Sequence, residues 1–216
     1  MKTISALLYF LNHHSILSML VIIVLSLIVS ILRRKFSWLI AGLILGFVNI
    51  FTAQFLNAWF LNKFGIQGTA VVTQVVETNS TLNDQYISDY DVLVKTADGK
   101  DVLSDFSTMT AVIYPIRNNI RLPDAGAQIA VKYIPGYEKN IVILSDESSY
   151  GRSMLIGEHK QPVEKAAIQY QASPGNEEFK KEYIKALKEF IEEPANSPDS
   201  VSVRNYRLLV KTLEGQ

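Results

Sequence analysis

The chain has 216 residues, 48% of them hydrophobic, with 21 Lys+Arg against 21 Asp+Glu, three His and no Cys. Zero net charge argues against a nucleic-acid partner, which needs a clustered cationic excess, and the missing cysteines exclude disulfides, thiol nucleophiles and cysteine metal sites together. The averages hide two compositions: residues 1–62 hold four charged side chains, all Lys or Arg, while residues 63–216 hold every Asp and Glu.

From Ser15 to Leu32 the stretch SILSMLVIIVLSLIVSIL runs 18 residues without a charge. As a helix it spans about 27 Å, close to the hydrocarbon core of about 30 Å. A second uncharged stretch, Phe36 to Leu61, has 26 residues and exceeds a straight crossing, which predicts tilt or emergence into the interface. Trp38 and Trp59 lie near its ends, where indole rings favour the headgroups. Between the stretches stand Arg33, Arg34 and Lys35. Three cations at a bilayer centre would cost about 2.5–3.5 kcal/mol each, so a turn in water wins. The expectation is a two-helix transmembrane hairpin within residues 1–64, with spans of about 15–32 and 36–61. The first span is longer than the apolar region of a signal peptide, about 7–15 residues, and no small-x-small site precedes Arg33, so it reads as a retained anchor.

Arg33, Arg34 and Lys35 are also the topology determinants. Short cytoplasmic loops are enriched in Lys and Arg, and the opposite flanks offer Lys2 and Lys63. The turn is therefore expected in the cytoplasm, with both termini outside. The implied setting is the bacterial cytoplasmic (inner) membrane, with a multi-pass anchor in the lipid bilayer and the soluble part extracytoplasmic.

Gly42, Gly46, Asn49, Ala53 and Asn57 stack along one side of the second helix, and Ser18, Ser26 and Ser30 repeat at multiples of four on the first. Small residues allow close helix approach and Asn can bond across the contact. One reading packs the hairpin on itself through these stripes. The other is self-association through Gly42 and Gly46, giving a homo-oligomer. A transport path is disfavoured, because neither span contains an ionisable residue. His13 and His14 precede the first span and read as interfacial residues rather than metal ligands.

After Gly65 the pattern changes to short β-type runs. GTAVVTQVVET (68–78) is rich in Val and Thr; DYDVLVKT (89–96) alternates Tyr90, Val92 and Val94 with Asp91, Leu93 and Lys95. The Asp98-Gly99 turn leads into DVLSDF (101–106), a hairpin signal. AVIYPIR (111–117), AQIAVKYI (127–134) and NIVILS (140–145) follow, the last two separated by Pro135-Gly136. Segment 79–88 reads as a polar hairpin loop. In 127–134, Ile129, Val131 and Tyr133 are expected in the core, with Gln128, Ala130 and Lys132 facing solvent. Six short strands predict a small antiparallel β sandwich or half-open barrel over residues 65–145.

A Gly opening a strand after a membrane helix, a Tyr-bearing second strand, an Asp-Gly turn and GAQIAVKYIPGYEKNIVIL together resemble the DUF3592 family of membrane-associated β-domains. The resemblance rests on Gly68, Ala70, Val72, Val75, Tyr90, Asp98, Gly99, Gly126, Ile129, Val131, Tyr133 and Pro135, and covers about residues 65–145. Members often carry a membrane helix on each side of the domain, whereas here no apolar span follows residue 145. The family has no assigned activity, so the resemblance implies a fold and anchoring without chemistry.

Residues 146–161 have no period and read as a linker to a helical tail, 162–216. PVEKAAIQYQA (162–172) predicts a short helix, broken at Ser173-Pro174-Gly175. NEEFKKEYIKALKEFIEE (176–193) predicts a helix capped by Asn176. Ser197-Pro198 predicts the start of a third over 197–213. Phe179, Tyr183, Leu187, Phe190, Tyr206 and Leu209 line apolar faces that must bury against each other, the β-domain or a partner, and form the expected partner face.

No G-x-S-x-G, P-loop, H-E-x-x-H or dinucleotide turn is present. The acids Asp84/Asp89 and Asp98/Asp101 sit at turns, where Asp is ordinary. The sequence thus implies no catalytic residues, cofactor or metal. It predicts a membrane-anchored α+β protein whose extracytoplasmic domain binds another envelope protein, in an accessory or immunity-type role. The alternative is a β-domain that binds a small ligand or envelope polymer.

Overall fold

The computed structural model describes residues 1–82, 84–117 and 122–215. They divide into two units, 1–149 and 150–216.

The first unit opens with three helices, α1 (Lys2–His13), α2 (Ser15–Arg33) and α3 (Ser37–Phe64). Helix α1 lies ahead of any element expected from the sequence. Its Ser5, Leu8 and Asn12 recur at helical spacing and form its buried face. His14, at φ −120° and ψ 54°, breaks it from α2. The turn between α2 and α3 closes at Arg34, whose φ is 51°. Lys35 N donates to Ser30 O at 3.1 Å, and Ser30 Oγ donates to Lys35 O at 3.0 Å.

Helices α2 and α3 are long and apolar enough to cross a membrane, and only 11% and 17% of their most apolar windows are buried. Neither apolar window is therefore buried in a core of this chain. At 28 residues, α3 is about 42 Å long, some 12 Å more than a hydrocarbon core needs. Its surplus turns do not lie loose. Asn57, Ala58, Phe60 and Leu61 are buried, and the last three pack with Leu8 of α1 against Val112, Ile134, Val142 and Leu144.

The strands are β1 (Ile66–Leu82), β2 (Gln85–Lys95), β3 (Asp101–Ser107), β4 (Ile113–Tyr114), β5 (Gln128–Ile134) and β6 (Tyr137–Leu144). Among the described residues they form one six-stranded sheet in the order β3-β2-β1-β5-β6-β4, not the two sheets of a sandwich. Neighbours are antiparallel except β4 and β6, which are parallel. The sheet curls far enough for Ser104 Oγ of β3 to donate to Lys139 O of β6 at 2.6 Å.

Three expectations are corrected here. Segment 79–88 is mostly strand: β1 runs to Leu82 and β2 starts at Gln85, pairing Thr81 with Tyr86 and Leu82 with Gln85. Polar side chains exposed on both faces do not hinder a backbone ladder, and Thr78 Oγ1 adds a bond to Ile87 O at 2.8 Å. The strand expected over 111–117 shrinks to Ile113–Tyr114, because Pro115 has no N–H to donate; residues 118–121 lie outside the described residues. Third, Ala130 and Lys132 do not face open solvent. Ala130 packs beside the cluster under α1 and α3, and Lys132 Nζ donates to Asn62 O and Oδ1 at 2.9 and 3.0 Å.

The same covering explains NIVIL. Val92, Ile129, Val131 and Ile143 are buried on the inner face, while Val142 and Leu144 are buried on the outer face beneath the helices. A strand buried on both sides reads as a continuous apolar run rather than an alternating one.

The second unit is helical. Helix α4 (Ser149–Ala172) carries Pro162 within it, followed by α5 (Glu177–Glu192) and α6 (Ser200–Glu214). The expected linker 146–161 is thus mostly helix, and its Ile156 packs on the core of Val163, Ala166, Leu187, Phe190 and Val210. Asn176 caps α5, accepting from Glu178 N at 2.9 Å. The cap of α6 is Asp199, which accepts from Ser202 N at 3.1 Å. Ser197 instead closes the 3-10 turn Pro194–Asn196, its N–H donating to Pro194 O at 3.1 Å.

Candidate functional site

The small-residue stripes meet along the α2–α3 seam. A Cβ added at Gly42 would overlap Ser26, and one at Gly46 would come within 3.0 Å of Met19 Cγ. Asn49 Nδ2 donates to Ser18 Oγ at 2.9 Å. Around the seam, Leu17, Val24, Ile28, Ile44, Phe47 and Phe51 are exposed. Arg33, Arg34 and Lys35 are exposed at the turn, and Ala53 is buried.

Asn57 leaves this stripe. Its Nδ2 donates to Asn140 Oδ1 at 2.8 Å, and Asn140 Nδ2 returns a bond to Asn57 Oδ1 at 2.9 Å. Asn140 Nδ2 also reaches Ser5 Oγ at 3.0 Å and Ser5 O at 3.1 Å. All three residues are at most 1% exposed, so α1, α3 and β6 share a sealed polar hub. Buried amides that satisfy each other fix one geometry, because any slip leaves them unpaired. Asn12 extends the fixation, its Nδ2 donating to Thr110 O at 2.8 Å.

Beside the hub, His13 lies under β3. Its ring stacks on Tyr9 with centroids 4.0 Å apart. Nε2 is 2.9 Å from Asp105 O, and a carbonyl only accepts, so Nε2 carries the proton. Nδ1 is buried with no hydrogen-bond partner among the described residues. Burial lowers the His13 pKa, opposed by its bond to the Asp105 backbone and the Asp105 charge. The same surroundings push the Tyr9 hydroxyl up to about 12, chiefly through burial. Tyr9, His13, Ser104, Asp105 and Lys139 help line a crevice of about 10 Å³, room for about one water. His14 is exposed beside it. With Nε2 committed to a backbone carbonyl, this arrangement holds α1 on the sheet and presents no nucleophile–base pair. No group of three or more His, Asp or Glu among the described residues is placed to hold a metal ion.

The β-domain motif residues are architectural. Tyr133 is buried, and its hydroxyl accepts from Ala97 N at 2.7 Å. Its ring crosses Gly68, where an added Cβ would sit 2.8 Å from Tyr133 Cε1. Gly99 and Gly126 adopt φ of 81° and 85°, which favour glycine. Asp98 closes its turn on Thr96 Oγ1 at 2.6 Å, and Pro135 is exposed at the β5–β6 turn.

The expected partner face needs correction. Leu187 and Phe190 are buried in the second unit's own core, with Tyr183 and Tyr206 packed against it, and Phe179 is half-buried. Helix α4 supplies the third side through Val163 and Ala166, which lie within the expected helix 162–172. Leu209 is exposed, as are Val201 and Leu208. Alongside them runs a groove of about 650 Å³ bounded by the end of α5 and by α6.

No family model matches the chain, and no curated protein or solved structure matches it either.

Proposed function

We propose that this chain is a multi-pass protein of the bacterial cytoplasmic membrane, anchored by the α2–α3 hairpin with the Arg33–Lys35 turn in the cytoplasm. In this reading a DUF3592-like β-domain and the helical unit stand outside, and they bind another envelope protein without catalysing a reaction. An accessory or immunity-type role is the form this takes. The observation that carries the anchor is the outward apolar surface of α2 and α3, which a bilayer would cover. The cation cluster supports the orientation.

Among the described residues, the crevice beside Tyr9 and His13 holds about 10 Å³, less than the about 300–1,000 Å³ of small-molecule sites, which gives that crevice no support as a ligand site. Crosslinking at native expression followed by purification of the membrane-embedded protein tests the partner; recovery of the chain alone would sink it. A periplasm-active reporter fused after Gln216 should be active. Activity of a cytoplasm-only reporter there would overturn the topology, and neutral replacements at Arg33, Arg34 and Lys35 should weaken or invert it.

A further inference from the structure

We infer that the α5–α6 groove is a docking site for an acidic amphipathic helix of the partner protein, an inference that rests on the partner reading above. Its lining includes Ile191, Val203 and Leu208 together with Arg204, Arg207 and Lys211, and reaches from Ser200 to Glu214 along α6. Fifteen residues of α6 make a trough about 22 Å long, a shape for an extended element rather than a compact ligand.

Charge decides which element. The cations stand at steps of three and four, so they share one side of α6, and all three are exposed. The unit's ion pairs are Lys160–Asp199, Lys185–Glu189 and Lys188–Glu214; among the described residues Arg204, Arg207 and Lys211 take part in none. The groove's acids are already engaged. Glu214 Oε1 accepts from Lys188 Nζ at 2.7 Å, and Glu193 Oε1 accepts from Ala195 N at 3.2 Å. An apolar trough with free cations along it matches a helix whose apolar stripe is flanked by Asp and Glu. Such matching raises association rate and specificity.

The probe is a library of synthetic peptides of about 16 residues, with Leu at helical spacing and flanking positions varied among Glu, Gln and Lys. It is panned on the full-length protein in non-ionic micelles. Glu-flanked peptides should be enriched, and Arg204→Glu/Arg207→Glu should weaken the best of them about tenfold. The Lys-flanked counterpart should bind that variant, which shows that the variant is folded. Enrichment without charge bias, enrichment of Lys, or binding indifferent to the double substitution would overturn the inference. So would anionic vesicles that displace the peptide from the native protein, or self-association that depends on Arg204 and Arg207. A crosslinked partner recovered equally from cells carrying Arg204→Glu/Arg207→Glu refutes the groove alone. Recovery of the chain alone while acidic peptides still select the groove refutes the envelope-partner reading alone.

Discussion

Asn140→Ala is the sharpest probe of how the hairpin is joined to the sheet. The substitution removes the amide that bonds Asn57 in both directions at 2.8 and 2.9 Å and reaches Ser5. Because Asn57 and Ser5 are 0% exposed, the Asn57 amide loses both its acceptor and its donor with no bulk water to replace them. At about 1–3 kcal/mol for each buried group left unsatisfied, the loss is about 4 kcal/mol. For a unit of this size each kcal/mol moves the melting temperature by about 2–4 °C, so the midpoint should fall by about 8–16 °C. The assay is thermal unfolding in non-ionic detergent, followed by the fluorescence of the protein's two tryptophans. One of them, Trp59, lies two residues beyond Asn57. Asn57→Leu/Asn140→Leu, which removes both partners and preserves their approximate shape, should recover more than half of the loss. A fall below about 3 °C for Asn140→Ala, or a double variant as damaged as the sum of the singles, would refute the sealed hub.

Gly42→Ala should separate α2 from α3 and lower the same midpoint, because the new Cβ meets Ser26; Ser26→Gly in the same chain should restore it. Tyr133→Phe should cost about 1 kcal/mol in chemical unfolding, the worth of the lost bond to Ala97 N. The Asp199 carboxyl is held down at about 2 by hydrogen bonds from Lys160 and then Ser202. Its pKa is lower folded than unfolded, so its stabilisation is complete above about pH 4 and is lost as pH falls towards 2. Asp199→Asn should flatten that acid loss in a circular-dichroism titration, and an unchanged slope would contradict the assignment.

Much of the architecture is visible in the chain. Uncharged length marks α2 and α3, because long apolar runs without a breaker read as helix, and alternation at Tyr90, Val92 and Val94 marks β2, because one face is buried. What escapes the sequence depends on distant partners. The Asn57–Asn140 pair is 83 residues apart, so Asn57 reads as one more member of the seam stripe. Covering by α1 and α3 turns Lys132 from a solvent residue into a helix-end ligand, and nothing in AQIAVKYI announces that. The helical unit misleads in the same way. Phe190 and Leu187 form the clearest apolar stripe, but Val163, Ala166 and Val210 bury them within the unit, leaving Val201, Leu208 and Leu209 of α6 exposed. The spacing of Arg204, Arg207 and Lys211 was readable; their lack of partners was not.

Helix α3 is continuous from Ser37 to Phe64, two residues before β1 begins, and this makes it a shaft. Twist or piston motion applied at its Ser37 end has no joint at which to dissipate before it reaches Asn57. One residue inserted upstream of Ala53 would turn the apolar segment before it by about 100° relative to Asn57, Ala58 and Leu61. The height and heading of the β-domain are therefore set by counting residues, and force on either end is felt at the other.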